Sequence, residues 1–301
     1  MDLEREHTVR GALFAHLDRL SSSGESHELR WEQTEYFTVH AERFIIRQTH
    51  GRGIAKPAGL DAALSITTAY TPMGKRRPYE DSVGADGLQR YHYEGADPNR
   101  ATNRALRACF EYSLPLVYFI GVDKGLYAAV YPVYVVADDP QRGEVTISPV
   151  VVDLTSPRSE TYHERRYAES LTRRRIHQPL FRADVLHAYR TRCSICHLGH
   201  RELLDAAHII PDSRPNGEPV VPNGLALCKI HHAAFDANLV GIRPDYRVEV
   251  NDELLQEHDG PMLRHGIQAA HGQLIDTPRR VGLRPDPQRL EERYEEFRAS
   301  R

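Results

Sequence analysis

Three cysteines and one histidine stand in two closely spaced pairs in the last third of the sequence. Two residues separate Cys193 from Cys196, and two residues separate Cys228 from His231. Two chelating pairs with sulfur and imidazole donors are what a closed tetrahedral Zn²⁺ site requires. A redox-active thiol pair or two buried thiols would explain the first pair alone, but neither explanation needs the second pair. We therefore predict a structural zinc site that organises a small module around it.

The segment between the two pairs contains residue types that suit hydrolytic chemistry. A β-like run ends at His208, a loop rich in Pro and Gly follows, and Asn223 comes shortly before a predicted helix that begins at Cys228 and contains His232. An imidazole with a pKa of about 6.5 accepts a proton at neutral pH, and neutral histidine is a ligand for divalent cations. Each residue alone also has a structural explanation, since a histidine beside an apolar strand commonly bonds a backbone carbonyl and Asn before Gly commonly forms a turn.

Taken together, the words AAHIIP, PNGLALC and HHAAFDANLVGI resemble the HNH nuclease family, which has a ββα-metal architecture. The resemblance implies that His208 is the general base that takes a proton from the attacking water. It also implies that Asn223 holds the loop and contributes to metal positioning, and that His232 binds a catalytic divalent metal. Mg²⁺, Mn²⁺ or another divalent cation would stabilise the charge that develops on the scissile phosphate.

One position departs from the family pattern. Many members carry an acidic residue or histidine directly before the catalytic histidine, whereas this chain has Ala207. Asp205 shares the strand face of Ala207 but is displaced by roughly 7 Å along the chain. Asp236 follows His232 by one helical turn, so both side chains could point the same way, although a structural or capping acid is an equal alternative. Asp205 and Asp236 are therefore candidate metal ligands, and Asp212 is a third.

The sequence before the zinc module resembles a second family, the SRA domain, which reads modified cytosine by flipping it out of the duplex. The shared words are, in order, YED at 79–81, Tyr93-Glu94-Gly95, Asn103-Arg104-Ala105-Leu106 and Gly125-Leu126-Tyr127. The resemblance implies that Tyr79 and Tyr93 sandwich the base and that Asp81 accepts a hydrogen bond from its exocyclic amine. Aromatic residues on paired strands also occur as ordinary cross-strand packing, and a related PUA-like domain would keep the fold and change the ligand.

The elements that must position these residues follow from hydropathy patterns. Alternating strands and Gly or Pro turns between Trp31 and Val151 predict a mainly β domain, with a short helix before it and one helix within it at NRATNRALRACFEYSL. The fold class is therefore α+β. We predict an SRA- or PUA-like domain over residues 1–155, an Arg-rich helical linker over 156–185 and a zinc-stabilised HNH module over 186–301. Within that module, 251–267 is predicted as strand or turn and the last residues as an amphipathic helix.

Composition limits the classes of protein to consider. The 301 residues are 40% hydrophobic and 27% charged, which is an ordinary soluble balance. No apolar run approaches about 20 residues and the first ten residues are charged, so we expect neither a membrane nor a secreted protein but a bacterial cytoplasmic one. The net charge of −3 does not exclude a polyanionic partner, because nine arginines cluster between Arg158 and Arg192. A solvated helical linker is the alternative explanation of that cluster.

These features predict a modification-dependent, type IV-like restriction endonuclease. The first domain would recognise 5-methylcytosine or 5-hydroxymethylcytosine in double-stranded DNA by base flipping, and the HNH module would hydrolyse phosphodiester bonds. One HNH site cuts one strand, so a double-strand break predicts a homodimer. Two alternatives remain: an HNH nuclease whose first domain reads unmodified sequence or RNA, and a catalytically inactive protein that only binds modified DNA.

Overall fold

The computed structural model describes residues 1–21, 28–48, 52–71, 83–84, 86–151 and 160–300. The chain divides into two compact units, Met1–Leu180 and Phe181–Arg301. Within the described ranges, no helix combines the length and the apolar character that crossing a bilayer would need. Both units mix helices and strands, which confirms the predicted α+β class, whereas the SRA- or PUA-like assignment and the domain limits stay predictions.

The first unit begins with helix α1, Leu3–Leu20. Asp2 caps it, since its carboxylate accepts a hydrogen bond of 3.0 Å from the backbone N–H of Arg5. Val9, Leu13 and Leu17 recur every four residues, lie on one face and are buried in the core of the unit. The predicted N-terminal helix is therefore confirmed.

The described residues of the first unit form nine strands after α1, and seven of these strands belong to one sheet. They are β1 Glu28–Arg30, β2 Tyr36–Val39, β3 Glu42–Ile45, β4 Ile54–Ala55, β5 Ser65–Thr68, β6 Gln89–His92, β7 Leu116–Asp123, β8 Leu126–Asp139 and β9 Glu144–Ser148. The order across the sheet is β4-β5-β7-β8-β9-β6, with β1 also pairing to β8, while β2 and β3 form a separate hairpin. β5 and β7 are parallel and the other pairs are antiparallel.

Strand β8 accounts for the curl of this sheet. Its first half pairs with β7 and its second half with β9, and the register shifts in both ladders, between Leu116 and Tyr118 and between Val135 and Ala137. Such bulges bend a sheet and increase its twist. Helix α2, Ala101–Glu111, confirms the helix predicted inside the β domain, and its Leu106 and Cys109 are buried.

The Arg-rich segment is helical from Glu160 to Ala188. It consists of α3, Glu160–Thr172, a π-helical turn, Arg173–His177, and α4, Gln178–Ala188. The boundary between the two compact units falls within α4, between Leu180 and Phe181.

The second unit contains two short hairpins and three further helices. Its elements are β10 Leu204–His208, β11 Gly224–Cys228, α5 Lys229–Asp236, β12 Val240–Ile242, β13 Val248–Val250, α6 Asp252–Gln256 and α7 Pro287–Ala299. The closing helix is confirmed, but 251–267 was wrongly expected to be strand or turn, since it contains α6 and a π turn at Met262–Ile267. Asn251 caps α6 by accepting a 2.9 Å hydrogen bond from the N–H of Glu253, which favours a helix start.

Candidate active site and metal centre

The hairpin of β10 and β11, followed at once by α5, carries most of the predicted residues. Its antiparallel register pairs His208 with Gly224, and β11 ends at Cys228. Because α5 begins directly after Cys228, His231 and His232 fall in its first turn. The chain thus has the strand–strand–helix order predicted for this module, with a zinc donor at one end of β11 and His208 opposite the other end.

The four predicted zinc donors form one cluster. The Sγ atoms of Cys193, Cys196 and Cys228 and the Nδ1 atom of His231 all lie within 4.8 Å of one another. Nδ1 of His231 is 3.2 Å from Sγ of Cys228, and the Sγ atoms of Cys196 and Cys228 are 3.9 Å apart. A tetrahedral Zn²⁺ with bonds of about 2.3 Å to sulfur separates its donors by roughly 3.8 Å. The spacing and the donor types therefore fit zinc.

Backbone contacts outside the cluster orient its donors. Nε2 of His231 lies 2.7 Å from the carbonyl oxygen of Gly266, to which it donates, so Nδ1 presents its lone pair to the cysteines. The N–H of Ser194 donates a 2.7 Å hydrogen bond to the carbonyl oxygen of Ala226 and thereby fixes the first cysteine pair to β11. Gly266 belongs to the π turn that was not predicted, so this contact had no signal in the sequence.

The cysteine pKa values respond to this crowding in opposite directions. Hydrogen bonds from Cys193, Cys196 and His231 lower the pKa of Cys228, because they stabilise its thiolate. The pKa of Cys196 is raised, because Cys193 and Cys228 accept hydrogen bonds from its thiol. The cluster thus lowers the pKa of one of its thiols before any metal is bound. Such a cluster suits a divalent cation, which stabilises thiolates further.

His208 lies in a tightly packed setting at the end of β10. The ring of Phe181 stacks on its imidazole, with centroids 4.1 Å apart and planes inclined by 23°. Its Nε2 is buried and has no hydrogen-bond partner among the residues that the structure describes. Burial, followed by the charge of His232, lowers the pKa of His208 to about 4. The imidazole is therefore neutral at pH 7, which is the form that accepts a proton from water.

Asn223 is fully buried, and its side chain closes the loop between β10 and β11. Its amide nitrogen donates to the carbonyl oxygens of Ile210, at 2.9 Å, and Glu218, at 3.1 Å, and its amide oxygen accepts from the N–H of Ile210 at 2.9 Å. The backbone carbonyl of Asn223 also accepts from the N–H of Ile209 at 2.9 Å. Both amide hydrogens and the amide oxygen are thus used within the loop that follows His208. The roles that the family resemblance implies for Asn223, in holding the loop and positioning a metal, stay predictions.

His232 lies between the two predicted acidic residues. Its Nδ1 is 3.5 Å from a carboxylate oxygen of Asp205, and its Nε2 is 3.3 Å from a carboxylate oxygen of Asp236. Each His–Asp pair offers nitrogen and oxygen donors of the kind that bind divalent cations. The two carboxylates face different nitrogens of the His232 ring. A single ion bound by His232 would therefore be shared with either Asp205 or Asp236, and not with both. Asp236 is 63% exposed, whereas Asp205 is only 23% exposed.

Two cations hold Asp205. Nζ of Lys229 is 2.7 Å from one carboxylate oxygen and Nε of Arg182 is 3.6 Å from the other. Burial alone would raise the pKa of Asp205, but hydrogen bonds from His232 and Lys229 hold it well below its ordinary value. Across the described ranges, no group of three His, Cys, Asp or Glu donors lies as close together as the zinc cluster does. The catalytic metal site predicted at His232, with Asp205 or Asp236 as the second ligand, stays a prediction.

The structure describes one of the three residues predicted to bind a modified base. Tyr79 and Asp81 lie outside the described residues. Tyr93 follows β6, is 3% exposed and donates a hydrogen bond from its hydroxyl to Asp138. Burial and this hydrogen bond raise the pKa of Tyr93. Its role in stacking on a base stays a prediction.

A buried network joins two of the words that resemble the SRA domain. Asn103, which is fully buried, accepts from the N–H of Glu94 at 2.9 Å and donates to the carbonyl oxygens of Glu94, at 3.1 Å, and Asp97, at 2.8 Å. Gly95 adopts a positive φ of 67° in the same turn. The turn directly after Tyr93 is therefore held by α2, although the two words are separated in the sequence.

Three residues that contact His208 or Asp205 were not predicted from the sequence. Phe181 and Arg182 belong to the Arg-rich segment, whose helical character was predicted but not its packing against β10, and Lys229 is a lone surface lysine in the sequence. The sequence does indicate that Phe181 packs against something, since it is a phenylalanine among arginines in RRRIHQPLFR. Nothing in that segment indicates which strand Phe181 contacts.

Comparison with known proteins supports the nuclease module. Residues 193–243 match the family model described as HNH endonuclease. One solved structure, described as a modification-dependent TagI restriction endonuclease, aligns over 82% of this chain and 85% of that chain with 17% sequence identity and a TM-score of 0.30. No curated protein matches the sequence.

Proposed function

From the HNH endonuclease domain at residues 193–243, we propose that this protein hydrolyses DNA that contains 5-methylcytosine or 5-hydroxymethylcytosine. The observation that supports hydrolysis most directly is the placement of His208, a neutral histidine at the end of the strand beside a zinc-type cluster, whose buried Nε2 has no hydrogen-bond partner within the described ranges. Leaving such a nitrogen without a partner costs about 1–3 kcal/mol, which a site tolerates when the group is needed for chemistry.

The side chains of the site divide the reaction between them. His208 accepts a proton from the attacking water. Its pKa of about 4 keeps the imidazole unprotonated at neutral pH before the reaction. Asn223 fixes the loop after His208. His232 with Asp205 or Asp236 would hold a divalent cation, which would stabilise the charge that develops on the scissile phosphate. Lys229 and Arg182 form ion pairs with the Asp205 carboxylate.

The first unit supplies the preference for modified DNA in this proposal. Support comes from the order of the SRA-like words and from the buried contacts of Asn103, which place α2 against the turn after Tyr93. Tyr79 and Tyr93 stack on a flipped cytosine and Asp81 bonds its exocyclic amine. Stacking on an aromatic ring contributes about 1–3 kcal/mol per base, which is comparable to the cost of extruding the base. A double-strand break requires two such sites, so two copies of the chain act together.

Plasmid cleavage tests the proposal. Methylated, hydroxymethylated and unmodified forms of one plasmid are incubated with the full chain and Mg²⁺ or Mn²⁺, and the same reactions are run with His208→Ala. We expect the wild type to cut the modified plasmids in the presence of metal, and His208→Ala to bind them without cutting.

Each other result identifies a different function. Equal cutting of all three plasmids would mean that the first unit reads something other than modified cytosine. Binding of modified DNA without cutting by the wild type would mean a binding protein. Cutting by His208→Ala at the wild-type rate would remove His208 from the mechanism.

A further inference from the structure

Helix α4 packs its first aromatic residue directly on the proposed general base. Phe181 is 3% exposed, and its ring lies nearly parallel to the imidazole of His208 at a centroid distance of 4.1 Å. The two residues are far apart in the sequence, and Phe181 lies at the start of the second unit.

Strand β11, which pairs with β10, leaves space for helix α4 opposite His208. Gly224, the register partner of His208, has no side chain, and a Cβ added there would lie 2.4 Å from Val185 and 2.9 Å from Cζ of Phe181. The helix therefore rests against the backbone of β11 at a distance that any larger residue would prevent. The hydroxyl of Tyr189, at the end of the same helix, also donates a 3.2 Å hydrogen bond to the carbonyl oxygen of Gly224.

The same helix also holds β10. A guanidinium nitrogen of Arg182 donates hydrogen bonds of 2.9 Å to the carbonyl oxygens of both Arg201 and Leu204. Nε of Arg182 is 3.6 Å from Asp205 on that strand. Consecutive residues of α4 thus contact the side chain at the end of β10 and the backbone at its beginning.

We propose that Phe181 is a positioning residue for catalysis, which sets the plane of the His208 imidazole through its own placement on α4 against Gly224. The χ2 torsion of histidine has broad, weak preferences, so the ring plane must be fixed by contacts. A flat ring on one face of the imidazole does this without forming a hydrogen bond that would occupy a ring nitrogen. Small misplacement of a catalytic group can lower a rate by about 100-fold, so the contact bears on the rate. The inference rests on the proposed role of His208 as the general base.

Phe181→Leu tests the role, because leucine keeps an apolar side chain and removes the flat face. Tyrosine is unsuitable, since its hydroxyl would project from Cζ towards Gly224. The matched control is Phe297→Leu, since Phe297 is a buried phenylalanine of helix α7 in the same unit and also packs on a glycine of a hairpin, Gly241. Both variants lose a ring from the core, but only one loses the contact with His208.

The measurements are kcat and KM on a modified oligonucleotide, the melting temperature, and the ¹H resonances of the His208 ring, which are assigned by their loss in His208→Gln. We expect Phe181→Leu to lower kcat by about 10-fold or more with KM within about twofold, and Phe297→Leu to change neither. In the wild type, the ring current of Phe181 should shift the His208 protons upfield, and this shift should be lost only in Phe181→Leu.

Equal loss of kcat in both variants, or unchanged kcat in Phe181→Leu, would overturn the positioning role. Wild-type His208 protons without an upfield shift would also overturn it, and this result needs no variant to fold. Failure of the wild type to cut any DNA would instead overturn the proposed function. The upfield shift of the His208 protons in that protein would show that the stacking is present and that the failure lies in the chemistry.

Discussion

His208 and Asn223 lie in opposite kinds of environment, although the loop between β10 and β11 joins them. Asn223 uses both amide hydrogens and its amide oxygen in hydrogen bonds, whereas Nε2 of His208 has no partner among the described residues. A fully bonded amide suits a residue that fixes a backbone, because its bonds are not exchanged during a reaction. An unpaired nitrogen suits a residue that must take up and release a proton.

Replacement of Asn223 tests the loop-holding role. Asn223→Ala removes its three side-chain hydrogen bonds and leaves the buried N–H and carbonyl of Ile210 without that partner. An unsatisfied buried polar group costs about 1–3 kcal/mol, so we expect the unfolding free energy to fall by about that amount and cleavage to be lost, while DNA binding persists. Denaturant unfolding and plasmid nicking measure the two effects.

The control for Asn223→Ala is Asn216→Gly in the same loop, at an exposed residue with a positive φ of 65°, where glycine relieves strain. Equal effects of both changes would contradict the role.

Short-range spacing decided which site residues could be predicted. The cysteines and His231 were predictable because two residues between donors is a chelating distance on a turn or helix. Asp205 was predictable as a neighbour of the site through strand alternation, but its ion pairs with Lys229 and Arg182 were not. Phe181 was missed because its contact with His208 depends on how α4 packs, and no local pattern specifies that packing.

At the scale of elements, the zinc-type cluster joins separate elements of the second unit. The first cysteine pair lies before β10, Cys228 ends β11, His231 lies on α5, and the π turn at Met262–Ile267 contacts His231 through Gly266. Short hairpins and an eight-residue helix are marginal by themselves. Zinc bound at this cluster would therefore contribute directly to the folding of this unit.

Removal of one zinc ligand tests this contribution. We expect one equivalent of zinc per wild-type chain by elemental analysis, and Cys193→Ser should lose most of it. Calorimetry should then show a lower melting temperature for the transition of the second unit, with that of the first unit unchanged. The control is Cys109→Ala, since Cys109 is equally buried but lies in α2 of the first unit, where its thiol bonds the backbone carbonyls of Ala63 and Ala105. Wild-type protein that contains no zinc and still has a stable second unit would refute the assignment.

Local sequence patterns predicted which segments form helices and strands better than they predicted which strands pair with each other. Alternation indicated β8, but not that its two halves would pair with different strands and bulge between them. The expectation of strand or turn over 251–267 was wrong because Asn251 caps a helix whose first turn contains Asp252 and Glu253, and this local start signal outweighs the later Gly and Pro. Pairing and bulges depend on tertiary contacts, which the sequence does not display locally.

At the scale of the whole molecule, recognition and cleavage are assigned to separate compact units. The residues proposed for base reading lie in Met1–Leu180, and His208, Asn223 and His232 lie in Phe181–Arg301. The net charge of −3 leaves DNA binding to local clusters of arginine, so affinity should depend on where charges lie and not on their sum. The two functions should therefore be separable by substitution.

Changes at Tyr93 and His208 test that separation. Tyr93→Ala should lower the preference for modified over unmodified DNA by about 5- to 150-fold, which corresponds to about 1–3 kcal/mol of base stacking, because the ring is removed. Tyr93→Phe removes only the hydroxyl that bonds Asp138, so it should keep the preference. Because Tyr93 is buried, melting temperatures must establish that both variants are folded at the assay temperature.

His208→Ala should show the opposite pattern, with binding preference intact and cleavage absent. Preference that survives in folded Tyr93→Ala would place the modified base elsewhere in the first unit, whereas preference lost equally in Tyr93→Phe would assign the effect to the hydroxyl and Asp138 and not to the ring.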